Sequence, residues 1–410
     1  MKKKESKKIL ILGGGFGGIR VAKDLARKTS KDISIELISK KSYFEYYPGL
    51  YRLVTGASPI EVCVPLHQIL PSRVAFHIET ILNIDLKNKK ITTNKGEHFF
   101  DILIIALGSK TTYFNLPGVD TLSLSFKSAR EALELRDHIY ELFETHAHPS
   151  EQELVSHFHV VIVGGGPSGV EVAGDLVAFM KRLAKKSRLE PSLVTIDLIE
   201  SNPRLLSTLP RKVGERVEKR LRNLGVNIFL NRKLASQEIE EVYLKDMSLK
   251  SKTVIWTAGT ELSEVVQKID GISFTPKKRI AVDLTMQIEG YSDIYAIGDV
   301  AGTEYSGLAQ TAIYDAKFVA QAISDRILNK KTEKYISKKN AFIIPVGDDW
   351  GVFVFGKFVI YGRVVYLMRH IVDFMYFATV VSPRKLFSLF FEGWKYRAVK
   401  KRKNEGVCEI

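Results

Sequence analysis

The sequence predicts an α/β chain made of two similar units, one inserted into the other, followed by an aromatic and basic C-terminal region. Three observations carry this. A β-branched apolar run, a glycine-rich turn and a helical pattern follow one another at residues 8–28 and again at 159–186. The segment 101–106 (DILIIA) is almost wholly apolar, as strands of a parallel sheet covered on both faces are. Past Gly259 the chain returns to the first unit, because 294–297 is another apolar run and ends at Gly298-Asp299. The predicted fold is therefore two Rossmann-like dinucleotide-binding domains, one discontinuous. The boundaries fall at 1–121 with 262–340 for the first, 122–261 for the second, and 341–410 for the C-terminal hairpin and amphipathic segment.

In chain order, Lys8–Leu12 is the first strand, and Gly13-Gly14-Gly15-Phe16-Gly17-Gly18 is the turn. Ile19, Ala22, Leu25 and Ala26 then recur at helical spacing. A strand follows at 33–38. The stretch 41–71, with its prolines and aromatics, reads as irregular, and short alternating strands span 78–93. A helix is expected at 128–145 and a linker at 145–159. The second unit repeats the opening: strand His159–Val163, turn Gly164-Gly165-Gly166-Pro167-Ser168-Gly169, then a helix. Its next strand, 194–199, ends at Glu200, with later strands at 227–230 and 253–257. Residues 342–360 read as a hairpin turning at 348–351.

The 410 residues suffice for two or three domains, and 45% apolar with 26% charged residues is an ordinary globular composition. The two cysteines, Cys63 and Cys408, form no CxxC pair. That argues against a disulfide-built secreted protein and a redox-active dithiol, and fits a reducing cytoplasmic compartment. A net charge of +15 suits an anionic partner, either a membrane surface or nucleic acid. The basic start reads as no secretory signal, and no uninterrupted apolar stretch reaches the ~18 residues of a membrane span.

The two glycine turns carry the chemistry. In each, the first glycine (Gly13, Gly164) makes the tight turn. The second (Gly15, Gly166) lets the backbone approach a pyrophosphate, and the third (Gly18, Gly169) lets helix and strand pack closely. The helix N-terminus then presents amide donors to the phosphates. The residue ending the second strand of each unit should meet the adenosine ribose. Glu200 there accepts from both ribose hydroxyls and repels a 2′-phosphate, favouring NADH over NADPH. In the first unit the equivalent is Ser39 followed by Lys40, which leaves the nucleotide of that unit open.

Taken together, ILGGGFGG, YFEYYPGLYRLVTG, FDILIIALGS, NLPG, VVIVGGGPSGVEVAGDL, VIWTAG, RIAVD, IYAIGDVAG and GLAQTA resemble, in order, the type II NADH:quinone oxidoreductases among the pyridine-nucleotide flavoproteins. The resemblance spans nearly the whole chain. It implies FAD in the first unit, NADH as co-substrate in the second, and two-electron reduction of a quinone without proton pumping. It implies that Gly13, Gly15 and Gly18 hold the FAD pyrophosphate, with Ser39, Lys40, Pro48, Gly108, Gly298, Asp299, Ala309 and Gln310 completing the FAD site. Gly164, Gly166, Gly169, Glu171, Glu200 and Gly259 would bind NADH. Glu171, near the nicotinamide, and Gln310, near the flavin ring and quinone, are the implied catalytic residues. Two departures stand out: Tyr314 and Asp315 occupy the quinone-region positions where the family has adjacent glutamines, and Ser39 replaces an acid.

From Gly362, aromatic and apolar residues alternate with cations. Arg363, His370 and Asp373 lie roughly on one helical face, and Val364, Leu367, Ile371, Phe374 and Met375 on others. Past Pro383, Leu386, Phe387, Phe390 and Trp394 mix with Arg384, Lys385, Lys395 and Arg397, and a basic run covers 400–403. This suits a segment lying in a membrane interface, on the cytoplasmic face of the cell membrane, as a peripheral attachment. The alternative is ordinary core helices packing on the body or on a dimer partner. No metal site is expected: His146, His148, His157 and His159 fall in the linker without a closed ligand pattern. Two rivals remain. A disulfide or sulfide:quinone reductase needs cysteines beside the flavin. A flavoprotein of the apoptosis-inducing-factor kind would bind NADH and a polyanion. The interleaving of cations with large apolar residues suits lipid better than nucleic acid.

Overall fold

The computed structural model describes residues 7–144, 156–383 and 385–387. The basic start, most of the expected linker, Arg384 and everything past Phe387 lie outside the described residues.

Two five-stranded, all-parallel sheets organise the chain. The first runs Ile294–Ala296, Ile102–Ile105, Lys8–Leu12, Ser34–Ser39, Val74–Ile78 across the sheet. The second runs Leu124–Ser125, Thr253–Trp256, His159–Val163, Thr195–Ile199, Val226–Phe229. In both, the strand before the glycine turn is central and apolar after its first residue, as a strand covered on two faces must be. The duplication extends further. Each unit carries a three-stranded antiparallel sheet, Ile81–Asp85, Lys90–Thr93 and Gly96–Phe99 in the first and Leu234–Glu238, Glu241–Leu244 and Ser248–Lys250 in the second. The first sets Ile84 and Ile91 into the core under Lys8–Leu12, and the second sets Val242 and Leu244 beside Val161 and Trp256. Where the chain passes between units, Lys110–Thr111 pairs antiparallel with Thr260–Glu261.

The stretch 41–71 holds more structure than its prolines suggest. Tyr43–Glu45 pairs with Cys63–Pro65, and a short helix, Leu50–Val54, lies between them. Leu50, Leu53 and Val54 share one core with Leu135, Ile139, Val172 and Leu176 of the second unit's helices Ala129–Glu144 and Pro167–Lys186. Prolines break the periodicity, while burial against another unit supplies the order.

The C-terminal region corrects the expected hairpin. Three strands, Phe342–Pro345, Gly351–Phe355 and Phe358–Gly362, form an antiparallel sheet, so a second turn follows the expected one. The helix Arg363–Val380 leaves directly from the third strand. Lys23, from the helix Phe16–Lys28, donates to the carbonyls of Thr379 (3.0 Å) and Val380 (2.7 Å) and so caps the C-terminus of that helix.

Candidate functional site

Both glycine turns meet the backbone demands read from the sequence. Gly13 and Gly164 have φ of +113° and +115°, in the region that favours glycine. A Cβ on Gly18 would lie 1.9 Å from the carbonyl oxygen of Gly13, and one on Gly169 would lie 1.9 Å from that of Gly164. Helix and strand therefore approach as only glycine permits. The middle glycines differ: a Cβ on Gly15 or Gly166 would meet nothing within 4 Å. Each of these residues is the N-cap of its helix and makes no side-chain capping bond. Open space in front of uncapped first-turn amides is the cradle a pyrophosphate fits. Gly108 (φ +69°) and Gly259 (φ +74°) occupy matching turns after the neighbouring strands. The first faces open space, whereas a Cβ on the second would lie 2.4 Å from Phe114 Cζ.

The ribose positions are built differently. Glu200 is buried, and its Oε2 accepts from the Gly165 amide at 2.6 Å. Its Oε1 accepts from the Asn202 amide at 2.7 Å and Asn202 Nδ2 at 2.6 Å. The carboxylate is thus fixed against the glycine turn. Ser39 is also buried, its Oγ accepting from the Lys41 amide at 3.3 Å, while Lys40 is exposed. Asp299 follows the left-handed Gly298 (φ +72°) and accepts from Ser109 Oγ at 2.6 Å, which brings it beside Gly108.

Ala309 and Gln310 open the helix Ala309–Ile327. Gln310 Oε1 accepts from the Ala341 amide at 3.2 Å, and Tyr314 carries Lys338 Nζ 5.4 Å from its ring centre. Asp315, expected in the quinone region, is fully buried. One of its oxygens accepts from the Gly298 amide at 2.9 Å and the other from the Tyr335 hydroxyl. Burial pushes its carboxyl up to about 6 against those two hydrogen bonds. Its side chain holds the Gly298 turn in place.

A buried charge cluster joins the three parts of the chain. Arg369, on the C-terminal helix, donates through Nε to Asp373 Oδ1 at 2.9 Å and through Nη1 to the Ile343 carbonyl at 3.0 Å. Its Nη2 donates to the carbonyl of Pro48, and Nη1 lies 3.8 Å from Glu171 Oε1. Asp373 also accepts from the Tyr46 hydroxyl at 2.6 Å, and its Oδ2 lies 3.1 Å from Arg52 Nη2. Arg369 therefore touches the first unit, the second unit and the C-terminal sheet at once. Burial pushes Glu171 up to about 8, with Arg369 and Arg52 opposing and Asp175 and Asp373 assisting. Burial also raises Asp175, one helical turn on, to about 7, although the Gly347 amide donates to it. Burial thus favours the protonated form of Glu171, as a group that takes up and releases a proton near neutral pH requires.

The structure separates Asp373, which is buried, from Arg363, which is exposed, although the sequence grouped both on one helical face. Val365, Arg369, Asp373 and Phe377 form the inward seam of the helix, with Arg369 7% and Asp373 2% exposed. The outward face carries Val364 (64%), Leu367 (61%), Ile371 (58%) and Met375 (62%). Arg52, Asp175 and Arg369 had no place in the sequence reading of the site. The available signal was the Arg-Asp pair at i, i+4 within a helix otherwise rich in large apolar residues.

Residues 7–316 match the family described as pyridine nucleotide-disulphide oxidoreductase. The type II NADH:quinone oxidoreductase Ndh of Mycobacterium tuberculosis is 29% identical over 335 residues, covering 77% of this chain and 72% of that protein. The type II NADH:quinone oxidoreductase of Staphylococcus saprophyticus is 25% identical over 386 residues, covering 90% and 94%. Among solved structures, NDH2 from Plasmodium falciparum in complex with NADH superposes with a TM-score of 0.87 at 20% identity, over 98% of this chain and 100% of that one. The sulfide:quinone oxidoreductase from Aquifex aeolicus superposes with a TM-score of 0.78 at 22% identity, over 98% of both chains.

Proposed function

The chain belongs to the pyridine nucleotide-disulphide oxidoreductase family, and we propose that it acts as a type II NADH:quinone oxidoreductase, taking two electrons from NADH and delivering them to a membrane quinone without pumping protons. The observation that carries this reading is the pair of open glycine cradles with unlike ribose positions, Ser39 in one and Glu200 in the other, which suits two different dinucleotides. Cys63 is the only cysteine among the described residues, so they offer no dithiol for the disulfide or sulfide chemistry found elsewhere on this fold.

FAD, when bound at the first cradle, supplies the two-electron chemistry that side chains lack. Gly13, Gly15 and Gly18 receive its pyrophosphate, and Ser39, Lys40, Pro48, Gly108, Gly298, Asp299 and Ala309 surround the rest. Gly164, Gly166 and Gly169 receive that of NADH, with Gly259 beside them. Glu200, held by three N–H donors, presents its carboxylate to the ribose and repels a 2′-phosphate. Glu171 orients the nicotinamide amide and stores a proton, and Arg369 sets its position. Gln310 and Tyr314, on one helix, line the acceptor side, while Asp315 braces the Gly298 turn from within.

The C-terminal helix supports peripheral attachment to a membrane, and the side proposed is the cytoplasmic face of the cell membrane. Among the described residues no helix is long and apolar enough to cross a membrane. The outward side of Arg363–Val380 nevertheless carries large apolar residues, as a helix lying in a lipid interface does. Vesicles of anionic lipid should sediment the protein, and the Leu367→Glu/Ile371→Glu variant should stay in solution. A variant that loses a dimer while vesicle binding is unchanged would reassign that face to a second copy of the chain.

The activity is tested by anaerobic titration of the purified yellow protein. NADH should bleach the flavin absorbance rapidly, NADPH poorly, and quinone should restore it at the rate of turnover. Slow restoration by every quinone tried would remove the acceptor half of the reading.

A further inference from the structure

A second group of convergent side chains lies on the outer edge of the first parallel sheet. Glu36 is on Ser34–Ser39 and His77 on the edge strand Val74–Ile78. In the register Ile38 is opposite His77, so Glu36, two residues before Ile38, shares the face of the sheet with His77. His98 reaches the same point from the antiparallel strand Gly96–Phe99. His77 Nε2 lies 3.4 Å, and His98 Nδ1 3.6 Å, from the one oxygen Glu36 Oε2. One ligand atom from each of the three residues lies within 4.8 Å of the other two.

Ion pairs with Glu36 and Glu79 engage both rings, yet they leave one buried nitrogen without a hydrogen bond. Lys8 takes the other oxygen of Glu36, Oε1, at 2.9 Å. His98 uses its other nitrogen, Nε2, on Glu79 Oε2 at 2.8 Å. Neither contact involves His77 Nε2, which is shut off from solvent and makes no hydrogen bond. A tetrahedral zinc ion with bonds of about 2.0–2.2 Å holds its ligand atoms about 3.3 Å apart, close to the two separations seen. Glu79 stands behind both rings. It accepts from His98 Nε2 and, at 2.6 Å, from the Thr93 hydroxyl, and its Oε1 lies 3.8 Å from His77 Nδ1. A carboxylate on the far nitrogen of a ligating histidine fixes its tautomer and aims the near nitrogen.

We propose that Glu36, His77 and His98 form a site for a divalent transition-metal ion of the zinc class, with Glu79 orienting both imidazoles from behind. Two imidazoles with a single carboxylate select such an ion over calcium or magnesium, which prefer all-oxygen shells. The three ligands are only half-buried, which leaves a fourth position to water. The bound ion would fasten the small antiparallel sheet to the edge strand of the flavin-binding unit, a structural clamp separate from the redox chemistry.

The test uses the full-length flavin-loaded protein, freed of metal by chelator, titrated with Co²⁺ and then Zn²⁺. Absorption beyond the flavin band reports tetrahedral Co²⁺, and calorimetry reports stoichiometry. One equivalent per chain is expected, with a rise in melting temperature, and Zn²⁺ should displace Co²⁺. His77→Asn and His98→Asn should each abolish the band while keeping flavin content and NADH:quinone turnover. Glu79→Gln should keep the stoichiometry and weaken affinity about tenfold to a hundredfold. The proposal is overturned if the wild type binds less than one equivalent, or if binding survives the histidine substitutions, which marks adventitious surface binding.

Discussion

Replacing Glu171 by glutamine tests whether the charge cluster sets the protonation of the nicotinamide side. Burial raises this carboxyl from an ordinary value of 4.5 to about 8. Between those two values the folded protein keeps a proton that the unfolded chain has released. Stability is therefore greatest below the unfolded value and falls as pH rises through the folded one. At roughly 1.4 kcal/mol per tenfold, the loss approaches about 5 kcal/mol at alkaline pH. Glutamine keeps the shape and cannot ionise. Unfolding by urea should therefore show Glu171→Gln gaining on the wild type by several kcal/mol between about pH 5 and about pH 9. Turnover measured in parallel should lose its inflection near pH 8 in the variant. A stability difference that stays flat across that range would mean that Glu171 is ionised throughout, and the argument from burial would be wrong.

Gly166→Ala adds a methyl where nothing lies within 4 Å, so flavin content and melting should hold while kcat/KM for NADH falls on the order of tenfold; an unchanged kcat/KM would remove the second cradle. Gly18→Ala instead drives a Cβ to 1.9 Å from the Gly13 carbonyl oxygen, and should lower stability by more than about 2 kcal/mol and shed FAD. Glu200→Gln should lower the NADH-to-NADPH ratio of kcat/KM, and a ratio that does not move would leave Glu200 a purely structural brace for the turn. Arg369→Met leaves the buried Asp373 only Arg52 and the Tyr46 hydroxyl, and should cost about 3 kcal/mol in a urea midpoint. It should also shift the alkaline limb of the pH profile upward, because Arg369 holds Glu171 down; a loss under about 1 kcal/mol would show the cluster to be relaxed.

The glycine turns were legible because their requirements are local. A positive φ at Gly13, a carbonyl 1.9 Å from where a Cβ would stand at Gly18, and a carboxylate at a strand end all follow from a few adjacent residues. Arg369 and Asp373 were not legible for the opposite reason. Helical spacing says which residues share a face and never which way the face points. The meaning of Arg369 depends on Pro48, Ile343 and Glu171, which come from three separate parts of the chain. Histidines gave a similar lesson. The described linker histidines serve as structural partners: His157 Nε2 is 2.7 Å from the Leu142 carbonyl, and His159 bridges Lys250 and Asp197. His77 and His98, on different sheets, meet only once the edge strand and the small antiparallel sheet are stacked.

The helix Arg363–Val380 also bears on how the protein can be handled at the bench. Exposed apolar residues of this kind favour self-association in plain buffer, and the customary remedy is to cut such a segment away. Ending the chain at Gly362 would remove the sticky face together with Arg369 and Asp373. Glu171 would lose its neighbouring cation, Arg52 its carboxylate partner, and the hydroxyl of Tyr46 its acceptor. A trimmed protein would trade aggregation for a damaged interior. Charged replacements at Leu367 and Ile371, with the inward seam left whole, are the sounder route to a soluble form.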